Sequence, residues 1–388
     1  MNEINVQRAK KDTPLNSLNA GVGVEAKKPR SSNLELYRII CMLMIVAHHY
    51  VVNSGLTAED GILQHDLTSG NSLFLTLFGA WGKTGINCFL MITGYFMCTS
   101  KITLKKFLKL MGQIYLYRWV IFALFFATGY ETLSPLRILK LIMPVWNFSD
   151  GFVSCFIGFW LTIPFLNILV QNMNKRQHEL MLLLLLGMFT ILGSIPTFRI
   201  TFNYVVWFGF IYFIASYIRL YPHPLFERRG VWGLITLVSV VLGCLSIVAL
   251  RLLVGASVST SYFFISDSNK ILAVAIAVSS FLWFKNMPIK NSTIINAFGA
   301  GTFGVLLIHA NSSAMRTWLW TGKVDVIGHY TLPLGSLILY SIAVVLAIFI
   351  ICNIIDQLRI ATVENWLLRW YDKKASVKAD TCIQRIIK

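Results

Sequence analysis

Asn33-Leu-Glu35-Leu-Tyr-Arg38-Ile-Ile-Cys-Met-Leu-Met-Ile-Val-Ala-His48-His49-Tyr50 is an apolar run with a carboxylate and an arginine near its start and two histidines near its end. Taken from Leu34 to Val52 it is long enough to cross a bilayer as a helix, which needs about 20 predominantly apolar residues. His49 comes eleven positions after Arg38. At about 100° and 1.5 Å per residue that is roughly three full turns and about 16 Å, so the two side chains share one helix face. His48 points about 80° away from that face. Ionisable groups at membrane depth are costly, and they mark functional positions by default.

The rest of the chain reads the same way. Of its 388 residues 56% are hydrophobic and only 13% charged, against about 25% charged in soluble domains; the mean hydropathy is +0.66. The expected fold class is all-α, a polytopic integral membrane protein of about ten transmembrane helices. The ten runs are Leu34–Val52, Ser72–Met97, Phe107–Gly129, Phe152–Val170, Leu180–Ile195, Tyr204–Ile218, Val231–Val254, Ile271–Phe284, Ile294–His309 and Leu332–Ile355. The fifth, sixth, eighth and ninth are short and need flanking residues to complete a span. Leu136–Val145 is too short to cross and is expected at the interface.

The formal net charge is +17, which could suggest nucleic acid, but its distribution points to topology instead. With the N-terminus inside, the inner segments hold the basic N-terminal residues, Lys101, Lys105, Lys106, Lys109, Lys175, Arg176, Arg219, Arg228, Arg229, Lys285, Lys290 and the C-terminal basic residues. The outer loops hold Arg137, Lys140, Arg199, Arg316 and Lys323. Basic residues stay on the cytoplasmic side, so both termini are expected there. The expected organisation is a polar basic tail over 1–32, disordered and without a cleaved signal peptide; a membrane domain over 33–356; and a basic cytoplasmic tail over 357–388. The seven cysteines form no Cys-x-x-Cys pair, so they read as small packing residues rather than metal ligands or a disulfide framework. No metal site is expected, because adjacent histidines on a helix diverge.

Depth counted along each run places His49, Lys83, Arg118 and His309 in one layer beyond the midplane, which suggests a shared polar cavity. Singly buried in lipid, each cation would cost about 2.5–3.5 kcal/mol. Each has a plainer reading as well. His48 can pack between helices, His309 can be structural, and Arg118 can be neutralised by a carbonyl. Lys83 opens the glycine-flanked stretch Gly82–Phe96, whose glycines allow close approach or local unwinding. Glu35 lies three residues before Arg38 and can pair with it. No other carboxylate falls clearly within a run, which disfavours proton-coupled transport. Histidine is left as the proton-handling group, suited to general-base work on a hydroxyl.

Several motifs follow one another in a recognisable order: Arg38 and His49 in the first run; Gly85 through Thr93-Gly94-Tyr95-Phe96; the cluster Lys101, Lys105 and Lys106; Cys155 to Pro164-Phe-Leu-Asn167; Trp207 to Arg219; and Thr302 to His309. Together they resemble the membrane acyltransferase-3 family, bacterial multi-pass enzymes that O-acylate surface sugars. The resemblance spans about 33–355. Two departures are the start Asp150-Gly151-Phe152 and the arginine at position 118. The resemblance implies an O-acetyltransferase of the bacterial plasma membrane. Acetyl-CoA or another acyl-CoA would be a donor substrate rather than a tightly bound cofactor, and a polysaccharide or lipid-linked sugar the acceptor. Arg38, Lys101, Lys105 and Lys106 would hold the donor's phosphates, and His49 would act as general base. Lys83, Asn87, His309 or His48 would stabilise the oxyanion or bind substrate. The alternative is a membrane carrier for a lipid-linked sugar or similar anion. Carriers often show repeated halves, and no repeat is visible here.

Overall fold

The computed structural model describes residues 30–374 apart from 144, 147, 149, 150 and 266. Most of the predicted N-terminal tail, the end of the C-terminal tail, Asp150 and Cys382 lie outside the described residues. The described chain is helical throughout, with no strand. It opens with α1 (Ser32–Val52), a one-turn α2 (Ile62–His65), α3 (Gly70–Gly79), α4 (Gly82–Met97), α5 (Leu104–Ala127) and α6 (Pro135–Ile142). There follow α7 (Phe152–Asn172), α8 (Lys175–Leu185), α9 (Tyr204–Leu220), α10 (Arg229–Val254) and the one-turn α11 (Val258–Ser261). The last are α12 (Ile271–Lys285), α13 (Thr293–His309), one-turn α14 (Ser313–Arg316), α15 (Leu334–Arg359) and α16 (Asn365–Lys374).

Local chemistry sets the ends. Ser69, Thr103, Ser134 and Ser292 each accept a backbone N–H of the first turn that follows, and Asn174 forms a reciprocal capping box with Gln177, which satisfies amides a helix start leaves open. Gly255 ends α10 in the left-handed region at φ 65°, where a Cβ would be strained.

Every predicted run is helical, but six helices are long and apolar enough to span a membrane, seven if the bent pair Thr293–His309 and Ser313–Thr331 counts as one. The predicted second run is two helices, α3 and α4, broken at Ala80 and Trp81. The carbonyl of Gly79, at the end of α3, faces Nδ1 of His48 at 2.5 Å. The last helix does not stop at 356. It continues to Arg359, passes through a π-helical turn, and resumes as α16, which packs on α5.

α1 is the central post, packed by α3, α4, α12, α13 and α15. One side of it, with Met42, Ile45, Val46 and Tyr50, joins a core with α5, α13 and α15. The other, with Leu34, Tyr37 and Cys41, joins a core with α4, α9 and α12. A helix packed on so many sides explains why its polar residues need protein partners. Near the far end of the bundle the buried Arg251 gathers the loop before α3. It donates to the carbonyls of Leu63 at 2.8 Å and Asp66 at 2.7 Å and to Ser72 Oγ at 2.8 Å.

Candidate active site

Three histidines occupy the ends of α1 and α13. Nδ1 of His49 lies 2.9 Å from Nε2 of His309, and Nδ1 of His309 lies 2.6 Å from the carbonyl of Val305 one turn earlier. A carbonyl only accepts, so His309 carries its proton on Nδ1 and, when neutral, offers Nε2 as an acceptor. His49 must then donate from Nδ1, which leaves its Nε2 as the basic nitrogen. His309 is fully buried, and Trp320 stands edge-on to its ring with centroids 6.3 Å apart. His48 turns the other way. Its ring packs where Gly82 has no Cβ, and a side chain there would collide with it. These contacts join α1 to the α3–α4 break.

His49 lines a cavity of about 300 Å³ between α5, the start of α7, and the end of α13. Arg118 from α5, Arg316 from α14, Asn311 and Ser154 line it as well. Arg118 is steadied by donating Nη1 to the carbonyls of Lys140 at 2.8 Å and Met143 at 2.7 Å. Carbonyl contacts and a place on a polar cavity therefore hold together for Arg118. Asn311 donates to the Leu307 carbonyl at 2.9 Å, which commits one of its two amide hydrogens.

The other residues singled out in the sequence lie elsewhere. Lys83, near the start of α4, donates to the Tyr204 hydroxyl at 2.7 Å and is not part of the cavity wall. Asn87 is fully buried. Its amide donates to the Ser268 carbonyl at 2.7 Å and accepts from Trp207 Nε1 at 2.9 Å, so it joins α4, α9 and the chain before α12. Arg38 stands one end of α1 away from His49. Its Nη1 donates to Glu35 Oε1 at 3.1 Å and Oε2 at 3.2 Å, while its Nε is buried without a hydrogen-bond partner. Among the lysines at that end, Lys105 pairs with Asp372 at 2.7 Å and Lys109 with Glu364 at 2.5 Å. Lys106 donates to Ser100 Oγ at 2.5 Å and to the Lys101 carbonyl at 2.7 Å. Lys101 is exposed.

Apart from Glu35, no carboxylate was expected clearly within a run, but a second one is buried at the end of the last run. Asp356, one residue past the predicted end of the last run, is fully buried. It accepts from Tyr117 at 2.7 Å, Gln113 at 3.1 Å and Arg359 Nε at 2.7 Å. Those donors, and Glu364 on the far side of Arg359 at 2.7 Å, make one network, which Lys109 extends to the surface through Glu364; none of its members lines the histidine cavity. Arg316, Asn311 and Ser154 were missed as site residues. Asn311 and Arg316 follow His309 in sequence, and that proximity is the signal that could have found them. Among the described residues, no cluster of three or more His, Cys, Asp or Glu could hold a metal ion, and six cysteines are free thiols.

A family model described as an acyltransferase domain, Acyl_transf_3, matches residues 31–354. No match was found among the curated proteins or the solved structures. The match takes in α1 through most of α15, and with them both histidines and both cavity arginines. The chain belongs to the acyltransferase-3 family and is a membrane acyltransferase.

Proposed function

We propose that the protein moves an acyl group, most simply acetyl from cytoplasmic acetyl-CoA, to a hydroxyl of a polysaccharide or lipid-linked sugar, with His49 as general base. The carrying observation is the His49–His309 pair on the wall of a cavity that also holds two arginines. The acceptor hydroxyl gives its proton to His49 Nε2 as its oxygen attacks the thioester carbonyl. A C–O bond forms, the C–S bond breaks, and His49 returns the proton to the departing thiolate. His309 accepts from His49 Nδ1–H and so orients the ring as positive charge develops on it. Arg118, Arg316 and the remaining Asn311 hydrogen supply positive potential and a donor for the oxyanion. In this role they replace Lys83 and Asn87, whose polar atoms are engaged elsewhere.

The donor enters from the end of α1 that carries Arg38. Its buried Nε has no partner, and its guanidinium is already oriented by Glu35, which suits a phosphate. Lys105 and Asp372 are both well exposed, and such surface pairs are weak, about 0–1 kcal/mol, so Lys105 can exchange its carboxylate for phosphate. Lys101 and Lys106 add to the same field. The pantetheine arm would run along the α1 face towards His49. This reading sets ten crossings in a bacterial plasma membrane with both termini cytoplasmic, the arrangement that keeps basic residues inside.

The test is direct. Membranes containing the protein are incubated with labelled acetyl-CoA and glycan, and base-labile label on the glycan is counted. Replacing His49 with Ala should abolish it at unchanged membrane expression. Undiminished ester formation would overturn the assignment of His49.

A further inference from the structure

A second, larger hollow of about 800 Å³ lies between the loop after α5, helix α6, and the segment following α13. Its walls carry Tyr130 and Trp318 as aromatic faces and Thr317 and Thr321 as hydroxyls. Arg137, Lys140, Lys323 and Glu131 are its charged groups. This hollow shares its partition with the His49 cavity. Arg118, on the cavity side, holds the Lys140 carbonyl at 2.8 Å. Arg316 is on the cavity wall, while Ser313, Ala314 and Thr317, within the same turn of chain, are on the groove wall.

The charges do not cancel. Glu131 is taken by Arg137, whose Nη2 and Nε reach it at 2.5 and 2.8 Å. Lys140 and Lys323 have no carboxylate partner among the described residues. Their Nζ atoms stand 5.3 Å from the Trp146 ring centre and 5.8 Å from that of Trp318. An aromatic face beside hydroxyls accommodates the apolar face and polar rim of a sugar ring, and an uncompensated ammonium beside it attracts an anion.

We propose that this groove holds the acceptor and selects an anionic glycan through Lys140 and Lys323. The proposal rests on the acyl-transfer reading for the identity of the bound chain as acceptor, and it adds the site and its charge preference. The anion is a sugar carboxylate or a phosphodiester, since a lysine point charge serves either.

Binding is measured on the full chain in phosphatidylcholine nanodiscs, where no anionic headgroup competes. The probes are tetragalacturonate, its full methyl ester, and a glycerol-phosphate oligomer of similar length. At low salt at least one anionic probe should bind about tenfold tighter than the ester, as two surface ion pairs allow, and salt should erase the difference. Which anionic probe gains tells carboxylate from phosphodiester. The Lys140→Gln/Lys323→Gln variant should fall to within about twofold of the ester, and Lys323→Gln alone to a value between. Equal binding of ester and anions, no binding of either anion, or an unchanged double variant overturns the proposal. If the anion binds as stated but the wild type forms no ester from acetyl-CoA, the groove stands and the acyl-transfer reading fails.

Discussion

His309 Nε2 accepts from His49 Nδ1 across 2.9 Å, and its own Nδ1 is fixed on the Val305 carbonyl at 2.6 Å. The tautomer of His49 is thus decided by a backbone carbonyl on another helix. On the proposed reading His309 is a positioning residue, and its loss should lower kcat rather than raise KM. His309→Ala is expected to lower kcat about 10²-fold, the cost of a poorly placed catalytic group. His309→Gln, whose amide oxygen can still accept from His49, should recover part of it. A steady-state comparison of the two variants checks this, and equal activities would deny the orienting role.

At the other end of α1, Arg38 offers one buried nitrogen without a partner. Arg38→Gln should raise KM for acetyl-CoA about tenfold, as expected for one charge-assisted contact, with a smaller change in kcat. Arg38→Lys should fall between, because a lysine cannot reproduce the fork. A pure kcat effect would place Arg38 elsewhere in the cycle.

Close helix approach at the buried carboxylate gives a stability prediction. A Cβ at Gly304 would collide with the carboxylate of Asp356 and push it from Tyr117 and Arg359. Gly304→Ala should destabilise by about 1–3 kcal/mol. Gly209, in α9, has open space around it, so Gly209→Ala should stabilise by about 0.5–1 kcal/mol through helix propensity. Thermal unfolding of the two variants in one detergent reads both signs.

Asp66 supplies a pH-dependent term in the loop before α3. Burial alone would raise its carboxyl, but hydrogen bonds from Ser69 and Tyr330 outweigh it and hold the group below its ordinary 3.8. The native state therefore favours the ionised form. Its contribution is fully present above the unfolded value near 3.8 and is lost as pH falls through the lower folded value. Asp66→Asn should melt a few degrees below wild type at neutral pH, and the gap should close on acidification below that window. A gap that stays constant with pH would remove Asp66 from the account.

Much of the framework was legible because apolar runs are written locally. The Arg38–His49 face followed from helical geometry alone, and all ten runs are helical, the second as two helices and the fifth ending in π and 3-10 turns. The glycines and Lys83 beside Ala80 and Trp81 allowed unwinding, but the break itself was not placed, because it is tied to His48, about thirty residues earlier. A hydropathy window stops at Ile355 for the same reason it cannot register Asp356. The carboxylate reads as an end of the membrane run until Arg359, Tyr117 and Gln113 are seen around it.

The site was legible in part. His49 and His309 could be put in one layer by counting depth, but their pairing joins residues 260 apart. Arg316 was counted as a topology marker in an outer loop, since charge bias says nothing of where a loop folds back. Lys83 and Asn87 attracted attention because polar groups in apolar runs do so. Their partners, Tyr204, Ser268 and Trp207, lie on other segments and are visible only in the fold. The same holds for Arg251, which looks like an unexplained cation until the carbonyls around it are located.

The chain turns by 98° just after His309. The segment that follows packs back on the histidine pair, with Trp320 edge-on to the His309 ring. The cavity that His49 lines lies between α5, the start of α7 and this segment, so on the proposed reading an acceptor would meet the imidazole there. An acceptor chain lying across such an opening would offer successive units to one imidazole without threading an end, so internal positions of a long polymer would be as reachable as its terminus.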